Sequence, residues 1–256
     1  MIVMNAFHIL CFGDSLTEGF TRFGTIFHPY AWSLKPSLQK FLPSAVITTD
    51  IQGRSGDIVI SPPGKFYPRI ISLYDNPEVP YNWTVILGGT NDLNNGFEAD
   101  QIYSALQLVW KAALDHGSNV LALTVPECGT CPPALDDRRD KLNDLILHHE
   151  ASNFYTLDLH AAIPYWNMTD DQRQELWDDG VHFTAEGYDL MGSIVSDRLY
   201  EIVSENDAFE DEDMQSSQKL LRAALVRQDL KRRGSTIEND ITTEKVLIRE
   251  SEVLDE

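Results

Sequence analysis

Gly13-Asp14-Ser15-Leu16-Thr17-Glu18-Gly19 follows directly on the apolar run Phe7-His8-Ile9-Leu10-Cys11-Phe12. The run reads as a buried strand. Glycines at both ends of the heptapeptide let the backbone turn sharply and come close to a substrate. Leu16, Thr17 and Glu18 open a helix, whose first N–H groups then point back toward Ser15. A serine just past a strand, at such a turn, is where a fold exposes a nucleophile. The same residues also read as a plain strand-to-helix turn in which Asp14 and Ser15 cap the helix. A hydroxyl is a poor nucleophile at neutral pH, so the catalytic reading requires a base elsewhere in the chain.

Outward from this turn, strands alternate with helices. Ala45–Thr49, Trp83–Gly88, Asn119–Thr124 and Phe154–Asp158 are β-branched or apolar runs that read as four further strands. Helical patterns fill the gaps: from Pro29 to about Leu42, near Pro68 to Tyr74, from an Asp100 cap to about His116, and from Pro133 and Asp136 to about His149. A last helix runs from a Thr184 cap, Ala185 to about Val203. This alternation predicts βαβ units and a five-stranded parallel sheet covered on both faces. In such sheets the loops after the strand C-terminal ends form the site. The turns at Ser15, Gly56 and Asn91 all follow strands, so they are expected on one rim.

The 256 residues suffice for one α/β domain, assigned to residues 1–204, with an acidic, partly helical or disordered extension over 205–256. Glu205 to Asp213 is rich in acids without a base, and the polar stretch beyond it is read as a solvated tail or a contact for a protein partner. A net charge of −20 argues against nucleic acid or an anionic membrane as partner. No run of about 18 apolar residues is present, so no membrane span is expected. The N-terminus shows no signal-peptide pattern. Cys11, Cys128 and Cys131 do not make a disulfide framework, and together with the missing signal they point to the cytoplasm.

A serine nucleophile needs an imidazole within hydrogen-bond reach and a carboxylate to set that imidazole's tautomer. Asp179-Gly180-Val181-His182 offers both on one loop, with Asp178 as the rival carboxylate. An attacked carbonyl also needs donors for its developing oxyanion. Gly56 offers a backbone N–H unobstructed by a side chain, Asn91 a side-chain amide, and Ser15 its own N–H. Taken singly, Gly56 reads rather as an ordinary turn glycine and Asn91 as an Asx-turn asparagine. Asp14, Asp57 and Asp92 are assigned to holding turns rather than to proton chemistry. His160, beyond the fifth strand, is read as structural. Cys128-Gly129-Thr130-Cys131 has redox-motif spacing but is read as two thiols in a loop, since a zinc site needs more ligands.

As an ordered set, Gly13-Asp14-Ser15-Leu16, Ser55-Gly56-Asp57, Gly89-Thr90-Asn91-Asp92 and Asp179-Gly180-Val181-His182 resemble the GDSL, or SGNH, hydrolase family over about residues 7–200. The resemblance implies a flavodoxin-like, three-layer α/β/α fold. It implies Ser15 as nucleophile, His182 as base and Asp179, by the family's spacing, as its partner. It further implies an oxyanion hole of Ser15, Gly56 and Asn91, and hydrolysis of a small-molecule ester without metal or cofactor. The order of parts is unlike an α/β-hydrolase, whose Gly-x-Ser-x-Gly turn is missing. A serine esterase is therefore expected, with the aromatics Phe20, Phe23, Phe27, Tyr30 and Trp32 suggesting an apolar acyl or aryl pocket. The alternatives are a non-catalytic binding protein on the same fold and a carbohydrate O-acetyl esterase.

Overall fold

The computed structural model describes residues 6–75 and 80–206. Contacts divide the chain into two units, Met1–Ile202 and Val203–Glu256. The acidic extension expected over 205–256 lies outside the described residues, apart from residues 205 and 206.

Strand β1 (Ala6–Gly13) runs into helix α1 (Ser15–Glu18). Strands β2 (Phe20–Thr21) and β3 (Ile26–Phe27) then form a small hairpin that the sequence pattern does not reveal. Next come α2 (Ala31–Phe41), β4 (Val46–Gly53), α3 (Phe66–Asp75), β5 (Trp83–Leu87) and α4 (Thr90–Asn94). After them follow α5 (Ala99–Asp115), β6 (Asn119–Leu123), α6 (Pro133–Leu147), β7 (Phe154–Leu157), α7 (Leu159–Ala162) and α8 (Asp170–Leu176). The final helix, α9, covers residues 185–206.

The main sheet has five strands in the order β4-β1-β5-β6-β7, all parallel, with helices on both faces. This is the doubly wound order in which the chain reverses direction at the first strand. Alternation along β1 sends Leu10 and Phe12 into one core, shared with Phe66, Ile70, Ile102 and Trp110 of α3 and α5. On the opposite face the fully buried Cys11 meets Tyr30 at the start of α2. There α2 and α9 pack closely, with Ser33 Oγ donating to the Asp189 carbonyl.

The register brings the site together. Gly13 at the end of β1 is paired with Gly53 at the end of β4 and with Leu87 at the end of β5. The turns that follow these three strands must therefore leave the sheet side by side. Five strands, all parallel and covered on both faces, agree with the expectation from sequence, while several boundaries differ. β4 runs on past Thr49 to Gly53, and on this edge strand Asp50 accepts from the side chains of Gln52 and Tyr81. The cap of α5 is Glu98 rather than Asp100, with the Gln101 side chain accepting from the Glu98 N–H at 3.0 Å.

Candidate active site

Ser15 is the first residue of α1 and only 5 % exposed. Asp14 caps the helix by accepting from the Leu16 N–H at 3.0 Å. As the first residue of the helix, Ser15 has an N–H with no intrahelical acceptor. Asp14 is fully buried, which pushes its carboxyl from 3.8 up to about 7 against the pull of the Leu16 N–H.

The loop between α8 and α9 delivers His182 to this serine. Ser15 Oγ and His182 Nε2 are 2.9 Å apart, and His182 Nδ1 lies 2.8 Å from Asp179 Oδ2. Asp179 Oδ1 accepts from the N–H groups of Val181 at 3.0 Å and His182 at 2.8 Å. Burial alone pushes the Asp179 carboxyl up, but these N–H groups and the imidazole outweigh it and hold it below the usual carboxylate range. An ionised carboxylate only accepts, so His182 Nδ1 carries the ring proton and Nε2 is left to accept from the serine hydroxyl. The Phe20 ring packs on the imidazole, its centroid 4.5 Å away. Asp178, the rival carboxylate, is engaged elsewhere: it accepts from the Arg22 N–H at 2.5 Å.

The donors expected around an oxyanion come from the turns after β4 and β5. Gly56 adopts φ +76°, and a Cβ built on it would meet nothing within 4 Å, so no side chain or neighbouring group crowds the turn at that point. The Asn91 amide donates one hydrogen to the Asp57 carbonyl at 2.9 Å, which sets the side chain's orientation and leaves the second N–H free to point elsewhere. Glu18 ties the Gly56 turn to α1, accepting from both the N–H and the hydroxyl of Ser55.

Asp57 and Asp92 act as turn holders. Asp92 accepts from the Val59 and Ile60 N–H groups, and burial raises its carboxyl despite them. Asp57 accepts from the Ile58 and Lys65 N–H groups and from Arg69 Nη1 at 2.6 Å. Arg69 also donates to the carbonyls of Gln52 at 2.5 Å and Gly13 at 3.3 Å, and its guanidinium lies over the Phe12 ring. One half-buried cation thus joins the ends of β1 and β4 to the Gly56 turn. The sequence reading missed it. The signal was Arg69 standing three residues after Phe66, on the inward face of an apolar helix.

A cavity of about 380 Å³ opens beside these groups, lined by Ser15, Asn91, Asp179 and His182 on one side. Val125, Glu127, Cys128, Leu135 and Arg139, from β6 to α6, make its other walls, a segment to which the sequence reading assigned no part. Gly56 is not among the lining residues. Neither are the five aromatics expected to form an apolar pocket: Tyr30 is core, Phe23 and Trp32 are 86 % and 57 % exposed, and Phe20 backs the imidazole. Cys128 and Cys131 are not free thiols but a disulfide, which removes one ground for a cytoplasmic placement. His160 Nε2 stands 3.8 Å from Glu127 Oε1, outside the residues that line the cavity.

Among the described residues no helix is long and apolar enough to cross a membrane, and no cluster of three or more His, Cys, Asp or Glu side chains is placed to hold a metal ion. No curated protein matches the sequence. The fold is similar to that of a lipase/acylhydrolase from Enterococcus faecalis, at 17 % identity over 76 % of this chain and 96 % of that one, with a TM-score of 0.58. It is equally similar to the aryl esterase of M. smegmatis, at 18 % identity over 76 % and 99 % with a TM-score of 0.58. A carbohydrate esterase family 3 protein from Talaromyces cellulolyticus shares 15 % identity over 78 % and 99 %, with a TM-score of 0.55. A sequence model of the GDSL-like Lipase/Acylhydrolase family matches residues 11–190, most of the chain, and the protein belongs to that family of ester-bond hydrolases.

Proposed function

We propose that the protein is a serine esterase that hydrolyses small carboxylic esters through an acyl-enzyme. The observation that carries this reading is the unbroken line from Ser15 Oγ through the His182 ring to Asp179, at 2.9 and 2.8 Å. His182 Nε2 takes the Ser15 proton as Oγ attacks the ester carbonyl carbon, and Asp179 stabilises the imidazolium. The carbonyl oxygen becomes an oxyanion held by the N–H groups of Ser15 and Gly56 and the free N–H of Asn91. Collapse breaks the bond to the alcohol oxygen, which leaves with the proton from His182. Water then gives its proton to His182, attacks the acyl carbon and, after a second collapse, frees the acid and restores Ser15.

A cavity of about 380 Å³ is at the small end of ligand sites, which run roughly 300–1,000 Å³. It favours short acyl or aryl groups over long fatty chains. Glu127 and Arg139 in its wall give it polar ground as well, and this supports an O-acetylated carbohydrate as a second substrate class.

The test is a panel of p-nitrophenyl esters from acetate to palmitate, with an acetylated oligosaccharide beside it, run on wild type and Ser15→Ala. The variant is expected to keep its fold and lose roughly 10³- to 10⁶-fold in kcat. Wild-type turnover in Ser15→Ala, or no labelling of Ser15 by a fluorophosphonate, refutes the proposal and favours a non-catalytic binding role.

A further inference from the structure

The disulfide stands where the imidazole loop is braced. Cys128-Gly129-Thr130-Cys131 is closed into a small ring by its bridge. From inside that ring the Gly129 N–H donates to the carbonyl of Gly180 at 2.7 Å. Gly180 lies between Asp179 and His182. Thr130 Cγ2 is 3.3 Å and Gly129 Cα 3.6 Å from where a Cβ on Gly180 would be, so the two loops are in van der Waals contact. On its other side Gly129 presses against the Tyr165 ring so closely that a Cβ there would stand 2.1 Å from it. Tyr165 is itself fixed: Glu127 Oε2 accepts from the Tyr165 and Trp166 backbone N–H groups at 2.5 and 2.8 Å, and the Tyr165 ring packs edge-on against Trp177 with centroids 5.3 Å apart. The closed ring is thus wedged between a fixed aromatic and the backbone that carries Asp179 and His182. Cys128, Thr130 and Cys131 also line the same cavity as Ser15, so a small thiol entering by the substrate's route meets the bridge.

We propose that the Cys128–Cys131 disulfide is a positioning element for the Asp179–His182 loop and a site where a dithiol controls ester hydrolysis. This rests on the reading of His182 as the base. A thiolate of the dithiol attacks one sulfur, and the other cysteine leaves as a thiolate. The second thiol of the reagent then displaces the first cysteine from the mixed disulfide. Two cysteine thiols and one cyclic disulfide of the reagent result, and an added disulfide oxidant reverses the exchange. Once open, residues 128–131 regain backbone freedom, the Gly129–Gly180 hydrogen bond is no longer held, and the imidazole loses its fixed approach to Ser15. A displacement of about 1 Å in such a group costs up to roughly 10² in rate. Cys11 takes no part, being buried with its thiol pushed up to about 12, chiefly by that burial.

The full-length enzyme is assayed on p-nitrophenyl acetate before and after dithiothreitol, with opening counted by iodoacetamide alkylation at Cys128 and Cys131. Ser15 labelling by a fluorophosphonate is timed in both forms, and far-ultraviolet circular dichroism follows the fold. The opened enzyme is expected to stay folded, to lose roughly tenfold in kcat and in labelling rate, and to recover when oxidised glutathione closes the bridge. Cys128→Ser/Cys131→Ser is expected to match the opened form and to ignore dithiothreitol. If that variant does not fold, the reversible change in wild type decides by itself. Equal kcat and equal labelling in the alkylated and bridged forms overturn the positioning role while leaving the esterase reading intact. Absence of Ser15 labelling in both forms overturns the two together.

Discussion

Replacing Arg69 with methionine keeps an unbranched apolar stem over the Phe12 ring and removes the charge and its hydrogen bonds. The Arg69 side chain is 18 % exposed and the Asp57 side chain it meets only 3 %, so the pair is largely removed from water. Deleting one partner of a buried pair strands the other charge and costs about 3–5 kcal/mol. Here the Ile58 and Lys65 N–H groups still serve Asp57, which places the expected loss near the lower figure. The carbonyls of Gly13 and Gln52 lose a donor as well. In Arg69→Met/Asp57→Asn no charge is left unpaired, so the double variant is expected to regain at least about 1 kcal/mol over the sum of the single ones. The assay is equilibrium unfolding in urea for the four proteins of the cycle. Activity gives a second readout, because the Asp57 carbonyl orients the Asn91 amide. Losing one oxyanion donor outright costs roughly 10²–10³ in kcat. Misalignment through Asp57 is therefore expected to cost nearer tenfold, in kcat rather than KM. A single variant destabilised by less than about 1 kcal/mol, or losses that simply add, would refute the account of Arg69 as the tie between the two turns.

The two neighbouring acids separate on the same logic. Asp179→Asn is expected to lower kcat by about 10⁴-fold through the wrong imidazole tautomer, whereas Asp178→Asn, whose oxygen meets the Arg22 N–H instead, is expected to stay within tenfold of wild type; a reversed order in steady-state kinetics would reassign the partner. Asp14 bears on stability against pH: its folded value of about 7 lies above the unfolded 3.8, so the folded state holds the proton more tightly. That contribution is complete below the unfolded value and is lost as pH rises through the folded one. Relative to Asp14→Asn, wild type is expected to weaken between about pH 4 and pH 7, by at most about 4 kcal/mol. Parallel urea midpoints for the two proteins across that window would count against it.

What could be read in advance and what could not divide along one physical line. The alternation of strands and helices follows from hydrophobic runs and their spacing, and both are local properties of a sequence. The rim on which Ser15, Gly56 and Asn91 were expected follows from the sheet being parallel. The pairing of Gly13 with Gly53 and with Leu87 is how the chain realises it. Motifs carried the four segments because each needs a particular residue at a turn. The remaining parts act through contacts between residues far apart in sequence, and no local pattern encodes those. Arg69 is the example at the strand ends, where an arginine in an apolar helix marks burial but not the Asp57 it meets. The pocket beside Ser15 is the second example. The aromatics after Ser15 stand nearest to it in sequence, yet they pack behind the imidazole, into the core or out to solvent. The walls come instead from the β6–α6 segment, brought near Ser15 only because β5 lies between β1 and β6 in the sheet. The same segment carries the bridged cysteines, so substrate fit and the bracing of His182 are built from one stretch of chain. Changes in the β6–α6 loop should therefore alter KM and kcat together, while changes in the Gly56 turn, which does not line the cavity, should act on kcat alone.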